Sequence, residues 1–318
     1  MESDPYIERN PENLPFFHSK KYKWVNTSKQ VMLLLKRRRI ESPTSILMFI
    51  QCPRKYYYRY VKQLPQKPSI HLITGGIAHS TIEAFHNTDI TTIKPEGFFE
   101  KLQGIIMEEF REKWEEKRKE LEKVNLSQEE EYTHYDKTKT MISSFYQHHT
   151  NKIIRYQHYQ KLSLAEAWHK LRPKTEIDLI SDNYGVRGRI DAIHDIDRQT
   201  IIIDYKTSKK TEMDTDSVLQ LAIYTLLYKE RYGKMPSKAG IHFLRHGEKM
   251  MPTSPELLML AKRTCHRIHQ LTRHDNITKY PKKISGLCKY KTGRCDYYET
   301  CMDKKGAGEA KGLKLWTS

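Results

Sequence analysis

Apolar residues recur at two different periods along this chain, and the change falls near residue 176. Upstream the period is helical. The SPTS of residues 42–45 offers N-cap residues before Ile46, Leu47, Phe49 and Ile50, predicting a helix that ends near Cys52 and Pro53. Gly75 and Gly76 precede a second expected helix, IAHSTIEAFH, which sets His79 and Glu83 one turn apart on one face. Residues 96–170 read as long helices. The run MEEFREKWEEKRKELEKV is highly charged, with sparse apolar positions at helical spacing, and is expected to be a solvated face without chemistry. The helix after it, about 136–168, carries His148, His149 and His158, read as surface or stacking residues rather than ligands.

From Glu176 the period becomes two. Residues 176–181 and 185–194 predict a hairpin around Asp182, Asn183, Tyr184 and Gly185. Residues 200–205 predict a third strand, and its run of Ile201, Ile202 and Ile203 marks burial on both faces. A helix over LQLAIYTLLYKERYG places Gln220 and Tyr224 one turn apart; a strand at 239–244 and a helix at 255–273 complete the pattern. The expected fold class is α/β, a central mixed sheet flanked by helices with a helical insertion at about 96–170. No internal repeat and no GxxxxGK[ST] loop is present, which excludes an ATP motor of that type.

Charge adds a partner class. Lys and Arg number 56 against 39 Asp and Glu, a formal net charge of +17 over 318 residues, which favours a polyanion such as nucleic acid. In residues 1–41, Lys20, Lys21, Lys23, Lys29 and the basic run 36–39 alternate with Phe16, Phe17, Tyr22 and Trp24. This suits a nucleic-acid strand through phosphate pairing and base stacking, and equally a solvated basic segment with a short amphipathic helix at 31–35. The expected organisation is a basic arm (1–41), one domain (42–303) and a basic tail (304–318). The acidic N-terminus has no basic n-region ahead of an apolar core, and the longest apolar runs fall short of a membrane span. A cytoplasmic protein without a membrane partner is expected.

The richest stretch is GRIDAIHDIDRQTIIIDYK, residues 188–206. Asp191 and Asp204 each end a strand-like run, and Lys206 shares a strand face with Asp204 while Tyr205 points opposite. Two carboxylates and an ammonium at a sheet edge suit a divalent cation, Mg²⁺ or Mn²⁺, and hence phosphodiester hydrolysis. The backbone carbonyl of Tyr205 would add a ligand, His79 would complete the metal sphere or contact the phosphate, and Lys206 would orient the attacking water. A lone D-x-K is often only a strand-end salt bridge. The ordered set of helix His, GRID, IIIDYK and the helical Q-x-x-x-Y is far more specific.

GRID, IIIDYKTS and QLAIY, with GGIAHSTIEAF and CPRKYYYRY upstream, resemble the RecB-type branch of the PD-(D/E)xK nuclease superfamily in its iron–sulfur form, over about residues 42–301. That branch includes the CRISPR-associated RecB-like exonucleases and the AddB nuclease domain. The resemblance implies that His79, Asp191 and Asp204 are metal ligands, that Lys206 is the catalytic lysine, and that Gln220 and Tyr224 position the site and contact DNA. Asp204, the shorter carboxylate, stands where many relatives have Glu. Glu176 has no counterpart and is expected to be a surface carboxylate or a partner behind the site; Glu83 is an orienting partner or a helix-surface pair.

Cys52, Cys288, Cys295 and Cys301 supply four thiolates, enough for a [4Fe–4S] cluster that staples the first helix to the C-terminal region. The C-x6-C-x5-C spacing is longer in its first gap than in most relatives. A structural Zn²⁺ and four unligated thiols are the alternatives, although zinc ordinarily uses two short C-x2–4-C pairs. Cys265 is expected to be a buried thiol, and the tyrosines of CPRKYYYRY part of a DNA-binding wall. The implied activity is a metal-dependent DNA nuclease, by analogy a single-strand exonuclease acting at free ends in repair, replication or CRISPR-related processing. The alternative is a catalytically silent or partner-dependent DNA-binding subunit beside a separate helicase or integrase.

Overall fold

Helices occupy both faces of one sheet. The computed structural model describes residues 39–290 and 293–302; the expected tail and nearly all of the expected arm lie outside them. The helices are α1 (Pro43–Gln51), α2 (Pro53–Tyr56), α3 (Ile70–His86), α4 (Phe98–Glu116), α5 (Arg118–Glu122), α6 (Gln128–Gln160), α7 (Leu164–Leu171), α8 (Thr215–Tyr232), α9 (Pro255–Leu271) and α10 (Tyr298–Met302). The strands β1 (Lys174–Ser181), β2 (Val186–Ile196), β3 (Gln199–Lys206), β4 (Lys238–Phe243) and β5 (Gly247–Pro252) lie side by side in that order. β3 and β4 are parallel, with α8 in the connection between them, and the other pairings are antiparallel. This is the expected α/β architecture with a mixed central sheet. Among the described residues no helix is long and apolar enough to cross a membrane.

Local chemistry sets the helix starts. Ser42 and Ser45 form a reciprocal capping box for α1, as do Ser127 with Glu130 for α6 and Ser163 with Glu166 for α7. The insertion therefore breaks at Ser163, where the pattern predicts one helix to 168. Helix α3 begins at Ile70, so Gly75 and Gly76 lie inside it rather than ahead of it. Burial of Ile73, Thr74, Ile77 and Ala78 outweighs their helix penalty of about 1 kcal/mol each. Strand β5 has no alternating pattern to announce it; it begins at Gly247 (φ 89°), directly after a turn at 244–246, and pairs along β4 by backbone.

Two apolar cores cover the sheet. Ile46, Phe49, Ile190, Ile202, Tyr224 and Ile268 belong to one, and Ile77, Phe85, Phe145, Trp168, Ile203 and Tyr205 to the other. Strand β3 feeds both, as its isoleucine run predicts. Strand β2 does not alternate cleanly: Ile190 and Ile193 pack in the first core and Ala192 in the second. Strict alternation would put Ile190 and Ala192 on one face, so β2 is irregular at Asp191. Opposite it, Glu176 adopts φ 50°, and the β1–β2 pairing runs from Thr175 with Ala192 to Ile177 with Ile190, stepping over both acids. A left-handed non-glycine residue in a strand is strained, and such strain collects where side chains must be aimed.

Candidate active site

At this irregularity three elements converge. His79 of α3, Glu176 of β1 and Asp191 of β2 bring one ligand atom each within 4.8 Å of one another. His79 Nδ1 lies 3.5 Å from Asp191 Oδ2, and the same oxygen accepts the Tyr205 backbone N–H at 2.7 Å. Tyr205 itself points into the second core, its hydroxyl 3.1 Å from His86 Nε2, so only its backbone faces Asp191.

Asp204 anchors a second, connected group. Its Oδ2 lies 2.7 Å from Lys206 Nζ, which also donates to Gln220 Oε1 at 2.8 Å. Gln220 Nε2 donates to Asp204 Oδ1 at 2.7 Å and reaches the Tyr224 hydroxyl at 3.0 Å. The one-turn spacing of Gln220 and Tyr224 on α8 thus clamps the D-x-K pair from the first core. Gly188 makes room for the clamp: a Cβ there would lie 3.0 Å from Leu227 Cδ1 and 3.1 Å from Tyr224 Cε1.

The electrostatics are those of crowded carboxylates. Burial pushes the Glu176 carboxyl up to about 7; Asp191 pushes the same way and His79 opposes. For His79 burial disfavours the charge, but the hydrogen bond and charge of Asp191, with Asp204 and Glu176 beyond, raise it to about 9. Burial also holds Asp204 above the ordinary carboxylate range, against the pull of Lys206. A cation placed among these oxygens would relieve the repulsion and the desolvation together.

The structure therefore brings together His79, Asp191, Asp204, Lys206, Gln220 and Tyr224, all singled out from sequence. It adds Glu176, which lies beside His79 and Asp191 rather than on open surface. No spacing motif marks Glu176; only the register of β1 against β2 puts it opposite Asp191. Glu83 lines the same cleft, of about 540 Å³.

The cysteines lie elsewhere. Cys52 sits between α1 and α2, and Cys301 in α10. Cys288 and Cys295 flank the small hairpin of β6 (Lys289–Tyr290) and β7 (Gly293–Arg294), where Cys295 N–H donates to the Cys288 carbonyl at 3.1 Å. Burial pushes the Cys301 thiol up; Cys52 and Cys295 push the same way, and Lys282 and Arg54 oppose. The two segments are also joined directly, by Arg54 Nε to the Tyr280 carbonyl at 2.7 Å and Tyr297 Oη to the Leu64 carbonyl at 3.2 Å. Among the described residues no three cysteine sulfurs lie within 4.8 Å of one another. Cys265 is buried in the first core, as expected. Tyr56, Tyr57 and Tyr58 are buried there too, so they are packing residues rather than a wall for DNA bases. Their alternation with Arg54, Lys55 and Arg59 resembles a binding stripe, but a helix rotates the rings inward.

Residues 41–302 match the family model described as the PD-(D/E)XK nuclease superfamily. No curated protein matches the chain. Among solved structures it is similar to a protein of Eubacterium rectale provisionally named an exonuclease, at 12% identity and a TM-score of 0.45, with 92% of this chain and 97% of that chain covered. It is similar also to the protein SSO0001, at 18% identity and a TM-score of 0.28, with 47% of this chain and 80% of that chain covered.

Proposed function

Because the chain belongs to the PD-(D/E)XK nuclease superfamily, we propose that it hydrolyses DNA phosphodiester bonds with Mg²⁺ or Mn²⁺, as an exonuclease on single-stranded ends. The observation that carries this reading is the junction of the His79–Glu176–Asp191 group with the Lys206–Asp204–Gln220–Tyr224 network. His79, Glu176, Asp191 and Asp204, with the Tyr205 carbonyl, would hold the cation. When bound, it neutralises charge on the phosphoryl oxygens and lowers the pKa of a water. The donor set fits: hard carboxylate oxygens predominate, as Mg²⁺ requires, and a single imidazole is compatible with Mn²⁺.

Lys206 supplies the remaining chemistry. Asp204 and Gln220 hold its side-chain nitrogen from two sides, which keeps it aimed. From there it orients the attacking water and stabilises negative charge developing on the phosphate. Tyr224 fixes the rotamer of Gln220 and so acts one step further back. The expected test is digestion of oligonucleotides labelled at either end. Lys206→Ala loses cleavage by at least about a hundredfold while DNA binding persists; equal cleavage by both proteins removes Lys206 from the reaction.

For the four cysteines we propose a [4Fe–4S] cluster holding the two ends of the domain together. Cys52 and Cys295 both bear on the Cys301 thiol, and the Cys288 carbonyl holds the Cys295 backbone. Anaerobically purified protein is then brown and loses both colour and thermal stability on Cys301→Ser. A colourless protein carrying one zinc per chain assigns the site to zinc instead. The net charge of +17 supports a polyanionic substrate. Action beside a separate helicase or integrase, in repair, replication or CRISPR-related processing, is compatible with the same site.

A further inference from the structure

The cleft in front of the metal-ligating residues is lined by Leu72, Gly75, Gly76 and Thr207 as well as by His79 and Glu176. Its acids, Glu83 and Glu176, would repel a nucleic-acid strand. Lys206 cannot compensate beyond the reacting phosphate, because Asp204 and Gln220 hold it. Among the described residues that line the cleft, one Lys or Arg remains: Arg189.

Arg189 stands two residues before Asp191 on β2, at most about 7 Å along the strand, within a nucleotide's length. Its side chain is 59% exposed. Nε and Nη2 donate to the two oxygens of Asp178 at 2.9 and 2.8 Å, directly across the β1–β2 ladder, and Nε lies 3.8 Å from Glu176. The Asp178 side chain is 71% exposed. An ion pair so open to water is weak, so the guanidinium is available to a stronger anion. A phosphate diester presents two oxygens to the same planar fork. The floor beside it is bare: a Cβ on Gly76 would meet nothing within 4 Å, and one on Gly75 only Thr207 Oγ1 at 3.7 Å. A strand backbone can therefore lie close to α3.

We propose that this cleft contains a second phosphate subsite, in which Arg189 binds the backbone phosphate next to the scissile one and Asp178 is the counter-ion it leaves. Arg189 is thereby a positioning residue. The proposal rests on the nuclease reading above.

The test measures binding of a labelled single-stranded oligonucleotide in Ca²⁺, over a salt series, in the Lys206→Ala protein. Adding Arg189→Gln weakens binding several-fold and lowers the slope of log affinity against log salt by about 0.7, the value of one single-strand phosphate. Adding Asp178→Asn instead tightens binding, because the fork is freed. In the active protein Arg189→Gln raises KM more than it lowers kcat, and Arg189→Lys restores the salt slope but only part of the affinity. If Arg189 serves only the ladder, Arg189→Gln and Asp178→Asn change binding alike and leave the slope untouched, and the subsite is overturned. Failure of the underlying reading looks different: the wild-type protein then cleaves nothing in Mg²⁺.

Discussion

At the scale of single residues, the site is held by atoms with no room to spare. Gln220 uses both ends of its amide, accepting from Lys206 and donating to Asp204, and its rotamer depends on Tyr224. Tyr224 in turn packs where Gly188 leaves space. Gly188→Ala must displace Tyr224 or Leu227, an overpacking change of about 1–3 kcal/mol. The expected outcome is a lower urea midpoint together with a loss of kcat larger than the change in KM. A variant that loses stability but keeps full kcat would show that Tyr224 does not position the reacting groups. The motif GRID was legible as a string, and Asp191 in it was the obvious ligand. The reason for its glycine was not, because it lies thirty-six residues away in α8.

At the scale of elements, the informative feature is the break in alternation where β1 and β2 cross. Glu176 and Asp191 face each other there, and α3 lays His79 against them. Three carboxylates, counting Asp204, share one partly buried region, and this costs the metal-free protein stability. Glu176→Gln removes one of them. The metal-free variant is expected to melt a few degrees higher than wild type, since about 1 kcal/mol corresponds to a 2–4 °C shift at comparable sizes. It is also expected to lose most of the rise in Tm that Mn²⁺ confers on the wild-type protein. Scanning calorimetry with and without Mn²⁺ reads both; an unchanged Mn²⁺ response would remove Glu176 from the ligand set. Helix and strand positions followed from periodicity and capping residues, because both are local. The start of α3 and the existence of β5 did not: packing carried the helix through two glycines, and backbone pairing made a strand of a segment without a pattern.

At the scale of the whole molecule, four histidines are buried on the side of the second core: His86, His149 and His242 ring Phe145, and His194 lines the same cavity as Phe145. His149 stacks on Phe145 with centroids 5.8 Å apart and planes at 13°, and His194 Nδ1 donates to the Leu171 carbonyl at 3.0 Å. Burial pushes His149 down to about 3 and both His194 and His242 down to about 4. They are neutral when folded and charge on unfolding once the pH drops below about 6.5. The unfolded chain then binds more protons at these sites, so their contribution to stability is complete above pH 6.5 and falls between there and pH 4. Each group contributes a slope on the order of 1 kcal/mol per pH unit. Urea midpoints should drop clearly from pH 7 to pH 5, and His149→Phe should flatten that dependence; equal midpoints at both pH values would contradict neutral burial. Of these four, the sequence reading singled out only His149, as a surface or stacking residue. For His149 stacking was right and surface was not, because polarity alone does not reveal which helix face meets the sheet.

The sequence alone determined the α/β class, the starts of α1 and α9, the doubly buried β3 and the order His79, Asp191, Asp204, Lys206, Gln220, Tyr224. These rest on capping, alternation and one-turn spacing, which act over a few residues. Tertiary structure decided which side chains meet: Glu176 joined His79 and Asp191 through register, Tyr56 to Tyr58 turned into the core, and Cys52 and Cys295 each came within electrostatic reach of Cys301. Such contacts arise where the packing of two apolar faces brings distant segments together, and no local pattern encodes them.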